Sequence, residues 1–219
     1  MAPAPLTAAE ISRRTEDICR AAPIVPVLIV EDVAHARPLA EALVAGGLPA
    51  LEVTLRTPAA LEVISEMAKV PGGIPGAGTL LTPDDVKRAR DAGARFGVSP
   101  GASEALLEAA EAEGLPLLPG AATATEAMAL LARGYTVLKF FPAEAAGGAA
   151  FLKALASPLP QIRFCPTGGI SPTNAEAYLS LPNVLCAGGS WVAPKALMEA
   201  GDWAEITRLA REAAALPRG

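Results

Sequence analysis

Histidine is nearly absent from this chain of 219 residues, with His35 the only one. It falls in a stretch expected to be helical, which all but excludes a histidine-based triad or a histidine-rich metal site. Cysteine is scarce too. Cys19, Cys165 and Cys186 form no CxxC pair and are odd in number, which fits a reducing cytosol and the role of small buried hydrophobes. There is no basic block and the formal net charge is −5, so neither nucleic acid nor anionic membrane is an expected partner. A basic N-terminal region followed by an apolar core is missing, so no signal peptide is expected. No apolar run approaches the roughly 18 residues of a spanning helix. These absences describe a soluble cytoplasmic protein, long enough to bury a large core without disulfides.

What the chain does contain is a repeated beat. After an N-terminal helix over the first twenty residues, with Ile11 and Ile18 on its apolar side, strands are expected at 24–30, 50–55, 74–78, 96–99, 116–118, 136–141, 162–165 and 184–187. A helix follows each strand. Its openings are marked by Asp32, Pro58, Thr82-Pro83, Ser103, Thr123 or Thr125, Gly147-Gly148 and Ser171-Pro172, and the last strand leads into helices near 194–199 and 203–216. Strands alternating with helices give a parallel sheet. Eight units allow closure into a single (β/α)8 TIM barrel, with residues 1–22 as the N-terminal helix and 23–219 as the barrel. An open doubly wound sheet is the other arrangement, but no GxGxxG follows the first strand. Pro75 stands where a β-branched residue is expected and lacks a ladder donor, so it should mark a bulge or a shortened strand start.

In a barrel, chemistry sits at the C-terminal ends of the strands. Lys139 interrupts the apolar run Val137-Leu138-Lys139-Phe140-Phe141. Burial disfavours its charged form and lowers its pKa, and a neutral amine attacks carbonyls to form a Schiff base. The alternative is a structural lysine paired with a buried carboxylate. In the second strand, period two puts Leu51, Val53 and Leu55 on one face and Glu52, Thr54 and Arg56 on the other. The polar face is expected to point inward, towards Lys139. Two cations and one anion leave a cation without a counter-charge, which an anionic substrate would supply through Arg56. Glu52 is then the proton shuttle, although an interior ion-pair network would look the same from sequence.

Thr167-Gly168-Gly169-Ile170 and Gly188-Gly189-Ser190 both follow expected strands. Paired glycines let backbone N–H groups approach an anion, and the loops after strands seven and eight form the usual phosphate site of this fold. A simple turn is the alternative for each pair alone. Thr79, closing Gly76-Ala77-Gly78-Thr79, stands where it can meet a substrate carboxylate. Ser99-Pro100-Gly101 is a turn that shapes the pocket floor, and Trp191 and Trp203 are packing residues.

The segments LEVTLRT (51–57), GAGT (76–79), SPG (99–101), KFFPAE (139–144), RFCPTGGI (163–170) and GGSW (188–191) resemble, in order and over nearly the whole chain, the bacterial class I 2-keto-3-deoxy-6-phosphogluconate and 4-hydroxy-2-oxoglutarate aldolases. The resemblance implies a homotrimeric (β/α)8 barrel of the Entner–Doudoroff pathway. It would cleave a phosphorylated keto-deoxy sugar acid to pyruvate and glyceraldehyde 3-phosphate, with no metal and no cofactor beyond the covalent Schiff base. It assigns Lys139 as the Schiff-base lysine, Glu52 as the general acid/base, and Arg56 and Thr79 as binders of the pyruvate carboxylate. Pro100 and Phe141 would line the pyruvyl pocket, and Thr167, Gly168, Gly169, Gly189 and Ser190 would hold the phosphate. The galactonate epimer presents the same pyruvyl half, so the preferred sugar stays open, as does a phosphate-binding barrel without Schiff-base chemistry.

Overall fold

The computed structural model describes residues 4–219. The N-terminal helix α1 is Ala8–Arg20, and residues 1–3 of the expected helix lie outside the described residues. Thr7 opens α1 with a reciprocal capping box. Its hydroxyl oxygen accepts from the Glu10 N–H, while the Glu10 carboxylate accepts from the Thr7 N–H. Two otherwise orphaned donors are thereby satisfied. The buried side of α1 carries Ile11, Ser12, Thr15 and Cys19, and Ile18 is only half-buried. Two hydroxyls account for the difference from a purely apolar stripe. Thr15 donates to the carbonyls of Ile11 and Leu117, and Ser12 accepts from the Thr136 N–H. Polar docking of this kind leaves no mark in hydrophobic periodicity.

Among the described residues nine strands follow: β1 Ile24–Leu28, β2 Ala50–Thr54, β3 Ile74–Gly78, β4 Phe96–Val98, β5 Leu117–Leu118, β6 Gly120–Ala121, β7 Val137–Phe140, β8 Arg163–Pro166 and β9 Ala187–Gly189. Between or after them run α2 Ala36–Ala45, α3 Ala60–Met67, α4 Pro83–Asp91, α5 Glu104–Ala112, α6 Ala124–Arg133, α7 Gly148–Leu155, α8 Ala175–Leu179, α9 Lys195–Ala200 and α10 Trp203–Ala214. A six-stranded sheet has the order β5-β4-β3-β2-β1-β9 and a three-stranded sheet the order β6-β7-β8, with every pairing parallel. Isolated parallel bridges join Phe164 to Val184 and Thr167 to Gly188. The expected α/β alternation is present.

Several boundaries differ from the expectation, each for a local reason. The fifth strand is split at Pro119, which has no N–H but accepts at its carbonyl from Lys139 N–H at 2.9 Å. The last strand ladder begins at Ala187, so Gly188 and Gly189 lie inside β9, paired with Val25 and Pro26. They do not follow the strand. Pro75 breaks nothing: β2 and β3 stay in register from Ala50–Ile74 to Thr54–Gly78. Pairing with β4 begins only at Gly76–Phe96, so the missing donor precedes the ladder. Pro58 lies two residues before α3, and Ser171-Pro172 form a turn ahead of α8.

The strands sort their side chains by alternation. Leu51, Val53, Leu138 and Phe140 belong to a large cluster shared with the helices. Val25, Ala50, Phe96, Val98, Leu118, Val137 and Cys165 from strands of both sheets form a second cluster with Leu185 and Cys186 just ahead of β9, joined by Cys19 from α1. All three cysteines are free and buried, as expected. Val137 in the inner cluster and its neighbours Leu138 and Phe140 in the outer one place Lys139 inward. Among the described residues, no helix is long and apolar enough to cross a membrane.

Candidate active site

Lys139 and Glu52 are 5% and 2% exposed, and the Lys139 Nζ donates to Glu52 Oε1 at 3.4 Å. β2 carries the carboxylate and β7 the amine, so the pair connects the two sheets. Burial pushes the Glu52 carboxyl above the usual carboxylate range, opposed by the Lys139 ammonium. The expected polar row Glu52-Thr54-Arg56 divides along its length. Thr54 donates to the Leu28 carbonyl at 3.0 Å, while Arg56 is exposed at the mouth. Among the described residues Arg56 makes no ion pair, but it is exposed, so the interior holds one cation and one anion and not the excess buried cation that the charge count expected.

Gly78 closes this arrangement from β3. A Cβ built there would stand 2.4 Å from Glu52 Oε1 and 2.8 Å from its Cγ. Gly78→Ala is therefore expected to displace the carboxylate and lower kcat roughly tenfold or more while the chain still folds, as small shifts of a reacting group are enough for such losses. Steady-state kinetics beside a melting curve check this.

Phe141 links the buried pair to a cavity. Its ring centroid lies 5.2 Å from Lys139 Nζ, and the same ring lines a cavity of about 170 Å³ together with Arg56, Thr167, Gly168, Gly169, Gly189 and Ser190. Val27, Ile29, Ile170 and Gly188 complete the wall; the sequence reading had placed Gly188 in an anion-binding glycine pair and had given Val27 and Ile29 no role in the site. The two glycine pairs differ in kind. Gly168 and Gly169 have φ of 101° and 79°, the left-handed region that favours glycine. Among the described residues, the N–H groups of Gly168, Gly169 and Ile170 have no acceptor. Gly188 and Gly189 are instead small to admit neighbours, since a Cβ would lie 2.3 Å from Thr167 Oγ1 and 1.9 Å from the Trp191 ring respectively. Loop 167–170 is fastened from behind: Thr167 and Gly168 carbonyls accept from the N–H groups of Ala143 and Glu144 at 2.8 and 3.1 Å.

Thr79 and Pro100 stand apart from this cavity. Thr79 follows Gly78 directly with φ 64°, a strained value for a β-branched residue. Pro100 packs on β6, where only a glycine fits: a Cβ on Gly120 would be 2.3 Å from the Pro100 carbonyl. Gly120 is in turn the ladder partner of Lys139. His35 packs edge-on against Trp203, far from a ligand role. Among the described residues, no cluster of three or more His, Cys, Asp or Glu could hold a metal ion. A larger cavity of about 490 Å³, lined by Arg14, Arg90 and Arg95, opens at the strand starts and includes neither member of the buried pair.

Fold and site together define a parallel α/β protein that keeps one amine and one carboxyl buried, beside a glycine-lined cavity with an unpaired arginine. Residues 15–209 match the family model for KDPG and KHG aldolase. The chain belongs to that family. It is 54% identical over 202 residues to the 2-dehydro-3-deoxy-phosphogluconate aldolase of Pseudoalteromonas atlantica, covering 92% of this chain and 94% of the relative. Two crystal structures have closely similar folds. The 2-keto-3-deoxy-6-phosphogluconate aldolase of Zymomonas mobilis with 3-phosphoglycerate has TM-score 0.90 and 51% identity, covering 95% of this chain and 98% of that one. KDPG aldolase from Legionella pneumophila, with pyruvate captured as a covalent carbinolamine, has TM-score 0.89 and 45% identity, covering 91% and 98%.

Proposed function

We propose that the chain is a class I aldolase that cleaves 2-keto-3-deoxy-6-phosphogluconate to pyruvate and glyceraldehyde 3-phosphate, and 4-hydroxy-2-oxoglutarate to pyruvate and glyoxylate. The carrying observation is the buried Lys139–Glu52 pair at 3.4 Å. The neutral Lys139 amine adds to the C2 ketone, and the neutral carbinolamine takes up a proton at its hydroxyl and loses water to give a cationic iminium, the proton being released again when the imine is hydrolysed. Glu52 takes the proton from the C4 hydroxyl, the C3–C4 bond breaks, and its electron pair moves into the iminium. This gives an enamine and releases the aldehyde. Glu52 returns the proton to C3, and water hydrolyses the pyruvyl imine to pyruvate and free Lys139. A carboxyl whose pKa is raised by burial is suited to carrying a proton near neutrality.

Arg56 and Thr79 hold the substrate carboxylate in this reading, with Phe141 and Pro100 against the pyruvyl carbons. Thr167, Gly168, Gly169, Gly189 and Ser190 take the phosphate. The unpartnered N–H groups of the 168–170 loop favour an anion there, and the relative holding 3-phosphoglycerate supports a phosphorylated ligand. The relative with a pyruvate carbinolamine supports the covalent route. The two sheets are read as one closed (β/α)8 barrel in a single domain, a reading supported by the bridges at Phe164–Val184 and Thr167–Gly188. The protein is taken to work in the cytoplasm as a homotrimer, without metal.

Pyruvate release should be measured from the gluconate substrate beside its galactonate epimer and 4-hydroxy-2-oxoglutarate. The gluconate compound is expected to give the highest kcat/KM. A higher value for either of the others would move the protein to a sister activity, and no release from any would sink the aldolase reading.

A further inference from the structure

The glycine loop is held by side chains that no part of the reaction uses. The Tyr178 hydroxyl donates to Glu144 Oε1. Glu144 in turn donates its backbone N–H to the Gly168 carbonyl, and its side chain lies directly under Gly169, where a Cβ would come within 2.6 Å of Glu144 Cγ. On the other side Asn174 donates to the Gly169 carbonyl at 2.9 Å and accepts from the Ser171 N–H at 2.8 Å. Tyr178 is 1% exposed, whereas Glu144 is exposed. A surface carboxylate fastened to a buried phenol is an anchor whose fixed end lies in the core. Burial, together with Glu144, pushes the phenol's pKa up, so it remains a donor.

We infer that Glu144 and Tyr178 are positioning residues that set the 168–170 backbone for a substrate phosphate, and so bias the enzyme towards phosphorylated substrates. This rests on the reading of that loop as the phosphate site. Glu144 works through its packing under Gly169 and its bond to Tyr178. Loosening it should weaken phosphate binding without disturbing Lys139 or Glu52, which sit on β7 and β2.

The test uses three readouts in the full-length protein: KM for 2-keto-3-deoxy-6-phosphogluconate, competitive inhibition by inorganic phosphate, and exchange of the pyruvate methyl protons with D2O. Tyr178→Phe is expected to raise KM and the phosphate inhibition constant together, by roughly fivefold, as residues sharing one network couple measurably. Its kcat and pyruvate exchange should stay within about twofold of wild type. Glu144→Ala, a surface change that spares the core, should do the same. Glu144→Gln keeps both the packing and an acceptor for the phenol, and should restore near-wild-type constants. Unchanged phosphate inhibition in Tyr178→Phe would overturn the inference, as would tighter binding in Glu144→Ala, or exchange falling in step with cleavage. A wild-type protein that exchanges pyruvate but is indifferent to phosphate would overturn the loop assignment and this inference with it. Absence of exchange as well would instead indict the Schiff-base reading.

Discussion

Lys139→Met is expected to fold and to release no pyruvate from any of the three substrates, a loss on the order of 10^4-fold or more once the covalent path is gone. Borohydride in the presence of pyruvate should reductively tag the wild-type chain at Lys139 and leave the variant untouched. The four other lysines, Lys69, Lys87, Lys153 and Lys195, lie on helices or their flanks, so residual tagging at any of them in a folded, active variant would refute the assignment. The same variant should carry a pH signature. Without the ammonium that opposes burial, the Glu52 carboxyl rises further above its ordinary value. A carboxyl with a raised folded-state pKa contributes stability that is fully present below its unfolded pKa and is lost as pH climbs through the folded one. The melting temperature of Lys139→Met, relative to wild type, should therefore fall as pH climbs above the ordinary carboxylate range. Lys139→Met/Glu52→Gln has no such carboxyl, and its difference from wild type should be flatter across the same range.

Glu52→Gln separates the two halves of the chemistry. The amide keeps the volume of the side chain but cannot take up the hydroxyl proton, so kcat should drop by about 10^2 to 10^4, the usual range for a lost general acid/base. Pyruvate should still be trapped on Lys139 by borohydride, because adding the amine to a ketone does not need a base at C4. Methyl exchange of bound pyruvate, which does need proton transfer at C3, should fall with kcat. Turnover within threefold of wild type would remove Glu52 from the reaction and leave it as the structural partner of a buried lysine.

The α/β alternation and the inward lysine were legible because both rest on local pattern. A charged residue in a five-residue apolar run stands out, and period two in LEVTLR separates Glu52 from Leu51 and Val53. What was not legible depends on neighbours far apart in the chain. Gly188 and Gly189 read as a loop, yet they are ladder residues whose smallness admits Thr167 and Trp191. Pro119 divides a strand while still accepting a bond from Lys139, and a proline in sequence does not say which of its groups the ladder needs. Gly78 read only as the end of the third strand, and its contact with Glu52 spans two strands. Tyr178 carried no signal at all, since its partner lies thirty-four positions upstream.

The inner cluster has one more consequence. Beneath Lys139 the interior is filled by Val137, Leu118, Val98, Phe96 and three thiols, and α1 lies across the strand starts with Cys19 pressed into that filling. Among the described residues, this filling lies on the strand-start side of the buried pair, and the cavity beside Lys139 is lined by Arg56, Phe141 and the glycine loop. An occupant seated there with its charged end at Arg56 or the glycine loop would cover the buried pair, and the Glu52 carboxyl, raised by burial, would be the proton store nearest to the reaction.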